Sequence, residues 1–117
     1  MTSVLIVDDH PSFRASARRL LEAEGFDVIG EAGDGDAAIA AAQQLQPDLV
    51  LLDVQLPDIN GFEVASRLAA MGLPSAVILT SSRNPAEYGT LDAETAVRGF
   101  VPKAELSGAV LTALLSA

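Results

Sequence analysis

The sequence predicts an α/β fold in which five parallel strands alternate with five helices, and the sheet lies between helical layers. Short apolar runs, SVLIV, FDVIGEA, DLVLLD, SAVILT and RGFVP, are separated by helix-compatible segments of about a dozen residues or more. Val4 to Val7, Leu49 to Leu52 and Ala76 to Leu79 are apolar throughout, the pattern of parallel strands covered on both faces. Half of the residues are hydrophobic but only 4% are aromatic, so the core is built from Val, Leu, Ile and Ala, as suits helices packed on a sheet.

Taken in order, SVLIV is the first strand, and Pro11 can open the first helix. Phe13, Ala17, Leu20 and Leu21 recur at helical spacing before Gly25, so that helix turns one face inward. FDVIGEA is the second strand, and the second helix spans Asp36 to Gln46, stopped by Pro47. DLVLLD is the third strand. The third helix runs from Gly61 to Met71, ahead of Gly72 and Pro74, and SAVILT follows as the fourth strand. Asn84 and Pro85 open a fourth helix that Gly89 and Thr90 shorten or distort. RGFVP is the fifth strand. A last helix over Ala104 to Ala117 turns Leu106, Ala109, Val110, Ala113 and Leu114 inward. Leu111 and Leu115 widen its apolar stripe outward, as a contact surface or as ordinary partly buried side chains.

The length of 117 residues fits one domain spanning 1–117. Sixteen acidic against seven basic residues leave a net charge of −9, which repels phosphate backbones, so direct nucleic-acid binding by this segment is not expected. Without cysteine there is no disulfide or thiolate metal site, which is compatible with a reducing compartment. No apolar run approaches the roughly 18 to 20 residues of a membrane span, and no basic segment precedes a long apolar one at the N-terminus. A cytoplasmic protein without membrane partners is the expectation.

Ligand sites of such sheets lie beyond the carboxyl ends of the strands, where the strand order reverses. Asp8 and Asp9 end the first run, Asp53 the third and Thr80 the fourth, while Lys103 follows the fifth. Two carboxylates about 4 Å apart repel by roughly 4 kcal/mol at an effective dielectric near 20, so something must compensate, as a divalent cation and an ammonium group would. Oxygen ligands, no cysteine and a single histidine favour a hard ion such as Mg²⁺. Asp8 and Asp9 as caps of the helix at Pro11 would be a simpler account, but one Asp suffices for that, and Asp53, Thr80 and Lys103 stay unexplained.

The segments "VLIVDDHP", "DLVLLDVQLPDINGFE", "AVILTSS" and "RGFVPKAEL", in this order, resemble the receiver domain of two-component response regulators across essentially the whole chain. The resemblance implies a flavodoxin-like (βα)5 fold. It also implies a phosphoacceptor switch rather than an enzyme, in which Asp53 takes a phosphoryl group from a sensor histidine kinase or phosphotransfer protein. Asp9 and Asp53 would ligate Mg²⁺, Asp8 would act largely through a metal-bound water, and the Gln55 main-chain carbonyl would complete the protein's share. Lys103 would pair with the phosphoryl oxygens, and Thr80 would hydrogen-bond one of them. Phe100 occupies the aromatic switch position. The surface of the fourth helix, fifth strand and fifth helix would change to control an output domain or partner, and could support a homodimer on phosphorylation. Ser12, Arg14 and Arg18 of the first helix would meet the kinase, or Arg14 and Arg18 would form a solvated face. "GFVPKAEL" looks like receivers attached to helix-turn-helix transcription regulators, and the chain is either a standalone receiver or part of such a protein.

Three departures stand out: Ala104 after Lys103 where many receivers carry proline, phenylalanine rather than tyrosine at position 100, and the Gly89, Thr90 break. His10 has no second histidine to work with and reads as a solvent-facing loop residue. Gly30, Gly33 and Gly35 follow the second strand in an order that fits a turn rather than a dinucleotide loop. A metal-dependent phosphatase would need a substrate cap that the chain has no insertion to build. A flavin module would meet repulsion at Asp8 and Asp9. A phosphorylation-independent receiver-like protein-binding module is the main alternative, though such a module typically lacks one of Asp53, Thr80 or Lys103.

Overall fold

In the computed structural model, which describes residues 1–82 and 97–116, the five apolar runs form one parallel sheet. The strands are β1 (Ser3–Val7), β2 (Asp27–Ala32), β3 (Leu49–Asp53), β4 (Ala76–Ser81) and β5 (Gly99–Pro102), in the order β2-β1-β3-β4-β5. The helices are α1 (Pro11–Ala23), α2 (Gly35–Leu45), α3 (Gly61–Ala70) and α4 (Gly108–Ser116). The chain leaves β1 toward one side for β2 and crosses to the other side for β3. The strand order therefore reverses between β1 and β3, which opens a crevice at their carboxyl ends.

Alternation along the strands builds two cores. Leu5, Val7, Val50, Leu52, Val77 and Leu79 pack against Ala38 and Ala42 of α2 and Val64, Ala65 and Leu68 of α3. On the other face Val4, Ile6, Leu49, Leu51, Ile78 and Val101 pack against Ala17 and Leu21 of α1 and Leu111 of α4. Every side chain from Leu49 to Leu52 is buried, so β3 is the centre of both cores.

Helix starts are set by short polar side chains. Asp34 accepts the Ala37 N–H at 2.7 Å, so α2 opens one residue before the predicted Asp36. The Asp58 carboxylate accepts the Gly35 and Asp36 N–H groups at 2.8 and 2.9 Å, which ties the β3–α3 loop to the same helix end. Of the three glycines read as a turn, only Gly33 lies in the connection: Gly30 is inside β2, and Gly35 opens α2 with its N–H engaged by the Asp58 carboxylate. Asn60 accepts the Glu63 N–H at 2.9 Å and starts α3.

The C-terminal segment corrects the sequence reading. Instead of one helix from Ala104, a 3-10 turn at Lys103–Glu105 is followed by Leu106 in an extended conformation. The helix begins only at Gly108, where the Ser107 hydroxyl accepts the Val110 N–H at 3.1 Å. The break resets the helical phase. Leu111 is fully buried rather than outward-facing, while Ala109 and Ala113 are exposed rather than inward. Leu106, Val110, Leu114 and Leu115 lie partly buried against the α1 and α4 core. The predicted fourth helix, with Asn84, Pro85, Gly89 and Thr90, lies outside the described residues.

Candidate functional site

The residues expected at the strand exits converge. Asp8 follows Ile6 in the alternation of β1, Asp53 follows Leu51 in β3, and Thr80 follows Ile78 in β4. All three continue the parity of the α1 and α4 face, and Lys103 continues that of Val101 beyond β5. Asp53 and Thr80 are register partners in the β3–β4 pair, and the Val54 N–H donates to the Thr80 carbonyl at 3.0 Å. Asp8, Asp53 and Thr80 are buried.

Lys103 holds the carboxylates together. Its Nζ lies 2.6 Å from Asp8 Oδ2 and 3.5 Å from Asp53 Oδ2. The shorter contact is an ion pair without hydrogen-bond alignment, and the buried Asp8 Oδ2 accepts no hydrogen bond. The same ammonium stands 4.5 Å from the centre of the Phe13 ring, so α1 supplies a cation–π support beneath it. Asp53 Oδ1 accepts the Gln55 N–H at 3.2 Å. Burial, reinforced by the Asp8 charge, raises the Asp53 pKa from its ordinary value, against the Gln55 N–H and Lys103, which lower it.

Asp9 is more open to solvent, and it meets His10 rather than Lys103. His10 Nδ1 lies 3.1 Å from Asp8 Oδ1 and 3.0 Å from Asp9 Oδ1, and the His10 N–H donates to Asp8 Oδ1 at 2.8 Å. His10 is exposed as expected, but it also leans on both carboxylates, which the sequence reading missed. Ligand atoms of Asp8, Asp9, His10 and Asp53 lie within 4.8 Å of one another. Three carboxylates gather where one lysine ammonium contacts only Asp8 and Asp53, so the cluster carries excess negative charge and has the oxygen-rich donor set that suits a divalent cation.

Other expected residues stand apart. Phe100 is cross-strand partner to Leu79, whereas Thr80 pairs with Val101, and Phe100 packs against the core on the α2 and α3 side. Arg14 and Arg18 do not form a free solvated face: their Nε atoms bind the two Glu31 oxygens at 3.1 and 2.8 Å. The Arg18 hydrogen bond is the main cause of the lowered Glu31 pKa. Arg14 also donates to the Asp8 carbonyl at 2.6 Å, so it braces the site from behind. Ser12 is exposed beside it. A groove of about 310 Å³ lies between α1 and the 3-10 turn, lined in part by Phe13, Leu20, Lys103 and Leu106.

A doubly wound sheet with acidic groups at its β1–β3 switch point and a lysine after β5 defines a class. The family described as response regulator receiver domain matches residues 4–115, and the chain belongs to that family. Among curated relatives, BvgA of Bordetella pertussis, named as a positive transcription regulator of virulence factors, is 40% identical over 87% of this chain and 49% of its own length. EvgA of Escherichia coli K12, a DNA-binding transcriptional activator, is 31% identical over 98% of this chain and 56% of its own. The chain therefore spans about half the length of these relatives. Among solved structures, the signal receiver domain of the response regulator NarL from Mycobacterium tuberculosis superposes with a TM-score of 0.85 at 35% identity, covering 99% of this chain and 98% of that one. A LuxR-family two-component response regulator from Aurantimonas sp. SI85-9A1 gives 0.87 at 26% identity, covering 99% and 86%.

Proposed function

We propose that this receiver domain is a phosphoacceptor switch in which Asp53 is the acceptor. The observation that carries the reading is the shared contact of Lys103 with Asp8 and Asp53 at the mouth of the β1–β3 crevice. An Asp53 carboxylate oxygen forms the new bond to phosphorus as the bond from phosphorus to a donor histidine nitrogen breaks. The donor is a sensor histidine kinase or a phosphotransfer protein. Lys103 would receive negative charge on the phosphoryl oxygens, and Thr80 would hydrogen-bond one of them, a role supported by its position as register partner of Asp53.

Asp8, Asp9, Asp53 and the Gln55 carbonyl would hold Mg²⁺. When bound, the ion neutralises phosphoryl charge and sets the acceptor in line with the donor. Charge at Asp53 then draws on Thr80, and Phe100 repacks at the β5 edge. Without a tyrosine hydroxyl, that repacking has no side-chain hydroxyl hydrogen bond to hold it. The changed edge of β5 and α4 is the surface read by an output, or by a second copy of the chain in a phosphorylation-dependent dimer. The names of the relatives, and the half of their length that this chain spans, support a DNA-binding output region. The acidic segment itself does not contact DNA.

Intact mass after incubation with Mg²⁺ and a small acyl-phosphate donor tests the reading, beside an Asp53→Asn variant. A single phosphoryl adduct on the parent alone is the expected result. No adduct on a folded parent, or an equal adduct on the variant, would overturn it in favour of a phosphorylation-independent binding module.

A further inference from the structure

The oxygen ligands account for three members of the cluster and leave the fourth, His10, without a role. Its Nδ1 is 3.1 and 3.0 Å from Oδ1 of Asp8 and of Asp9. Two ligand atoms bound at right angles, each about 2.1 Å from one ion, stand about 3.0 Å apart. The ring nitrogen and the two oxygens are therefore spaced like adjacent corners of one coordination sphere. The imidazole is held there by its own main chain, because the His10 N–H donates to Asp8 Oδ1 and His10 is the cap residue of α1.

The opposite side of the Asp8 carboxylate is already taken. Its buried Oδ2 faces the Lys103 ammonium, whereas Oδ1, which accepts the His10 N–H at 2.8 Å, is the oxygen on the His10 side. Imidazole nitrogen is a poor ligand for Mg²⁺ and a good one for first-row transition metals, whose affinity for mixed nitrogen and oxygen sites rises along the Irving–Williams order. No thiolate is present to compete, since the chain has no cysteine.

We propose that His10 is a metal ligand of this pocket, so that Asp8, Asp9, Asp53 and His10 together bind a first-row transition-metal dication more tightly than Mg²⁺. The inference rests on the metal reading given above and adds a nitrogen donor and a selectivity to it. With the ring proton on Nε2, Nδ1 would bind the ion in place of the hydrogen bond it makes to Asp8 Oδ1.

Calorimetric titration of tag-free protein and of His10→Ala, each with Mg²⁺ and with Co²⁺, tests it. Expected are tighter Co²⁺ than Mg²⁺ binding by the parent and a loss of about tenfold or more in Co²⁺ affinity in the variant, with Mg²⁺ affinity held within about twofold. The Co²⁺-loaded parent should also show hyperfine-shifted imidazole proton resonances that vanish in the variant. The chain has one histidine, so their assignment is unambiguous. If Mg²⁺ binds but the variant keeps its Co²⁺ affinity, loses both affinities equally, or the parent lacks the shifted resonances, this inference fails while the metal reading stands. If the folded parent binds neither ion, the metal reading fails as well.

Discussion

Gly61 sits so close to Asp53 that a β-carbon at position 61 would lie 2.5 Å from the Asp53 carbonyl oxygen and 2.9 Å from the Val54 α-carbon. Those neighbours are main-chain atoms of the β3 exit and cannot swing away. The Gly61 N–H donates to the Val54 carbonyl at 2.8 Å, which closes the loop that leaves the acceptor strand. The absent side chain thus lets α3 start directly against the end of β3.

Gly61→Ala should therefore push α3 away from β3 and destabilise the protein by about 1–3 kcal/mol, the usual cost of overpacking. Urea unfolding should show a lower midpoint with an unchanged slope. Phosphorylation of Asp53 by a small acyl-phosphate donor should slow in the same variant. An unchanged midpoint would mean that the loop yields freely at this point.

Asp53 itself should be a stability cost at neutral pH. Its folded-state pKa is raised, first by burial and then by the charge of Asp8. Between about pH 4, where an unfolded Asp titrates, and the raised value, the folded state binds more protons than the unfolded one. Stability falls as pH rises through that window, and the cost is complete above it. In the presence of a chelator, Asp53→Asn should be more stable than the parent at pH 7 by on the order of 1 kcal/mol. The gain should shrink toward zero below about pH 4, where both states of the parent carry a protonated Asp53. Thermal melts of the two proteins from pH 3.5 to 7.5 check this, and a pH-independent difference would contradict it.

Asp58 should act with the opposite sign. The Gly35 N–H and then the Asp36 N–H hold its carboxyl down to about 2. A depressed folded-state pKa contributes stability that is present above about pH 4 and lost as pH falls toward the depressed value. Asp58→Ala should lower the melting temperature at pH 7, and the gap from the parent should narrow steadily as the pH drops from 4 toward 2. A gap that stays constant over that range would show that the carboxylate charge is not what secures the start of α2.

The strands were legible because each was a short, mostly apolar run between helix-compatible segments, and the observed boundaries of all five fall within a residue of the runs. The site was legible because Asp8, Asp53, Thr80 and Lys103 fall where those runs end. Harder to read was anything that depends on helix rotation. Phe13 beneath Lys103, and Arg14 bridging Glu31 to the Asp8 carbonyl, join residues whose relative placement follows only once α1 is docked on the sheet. The C-terminal helix was misread for a local reason. Ser107 is a recognisable cap, but the apolar residues on both sides of it continue a helical stripe, and the extended Leu106 is what breaks the phase and buries Leu111. Asp58, Asn60 and Gly61 were visible as a motif. Their work in capping two helices and closing a loop requires α2 and α3 to be in place.

Lys103 is the counter-charge for two buried carboxylates, so its removal should be felt in stability as well as in phosphorylation. Its side chain is only 16% exposed and bridges Asp8 and Asp53 from outside their strands. Lys103→Met keeps much of the stem that packs beside Phe13 but leaves both carboxylates without an ammonium. In the presence of a chelator the loss should be on the order of 3 kcal/mol, as when one partner of a buried ion pair is deleted. Mg²⁺ should recover part of it by supplying positive charge to the same oxygens. Asp8→Asn combined with Lys103→Met should lose clearly less than the sum of the two single losses, because the double variant no longer strands the Asp8 charge. Urea denaturation of the four proteins of this cycle measures the coupling, and strictly additive losses would mean that the 2.6 Å contact does not act as an energetic pair.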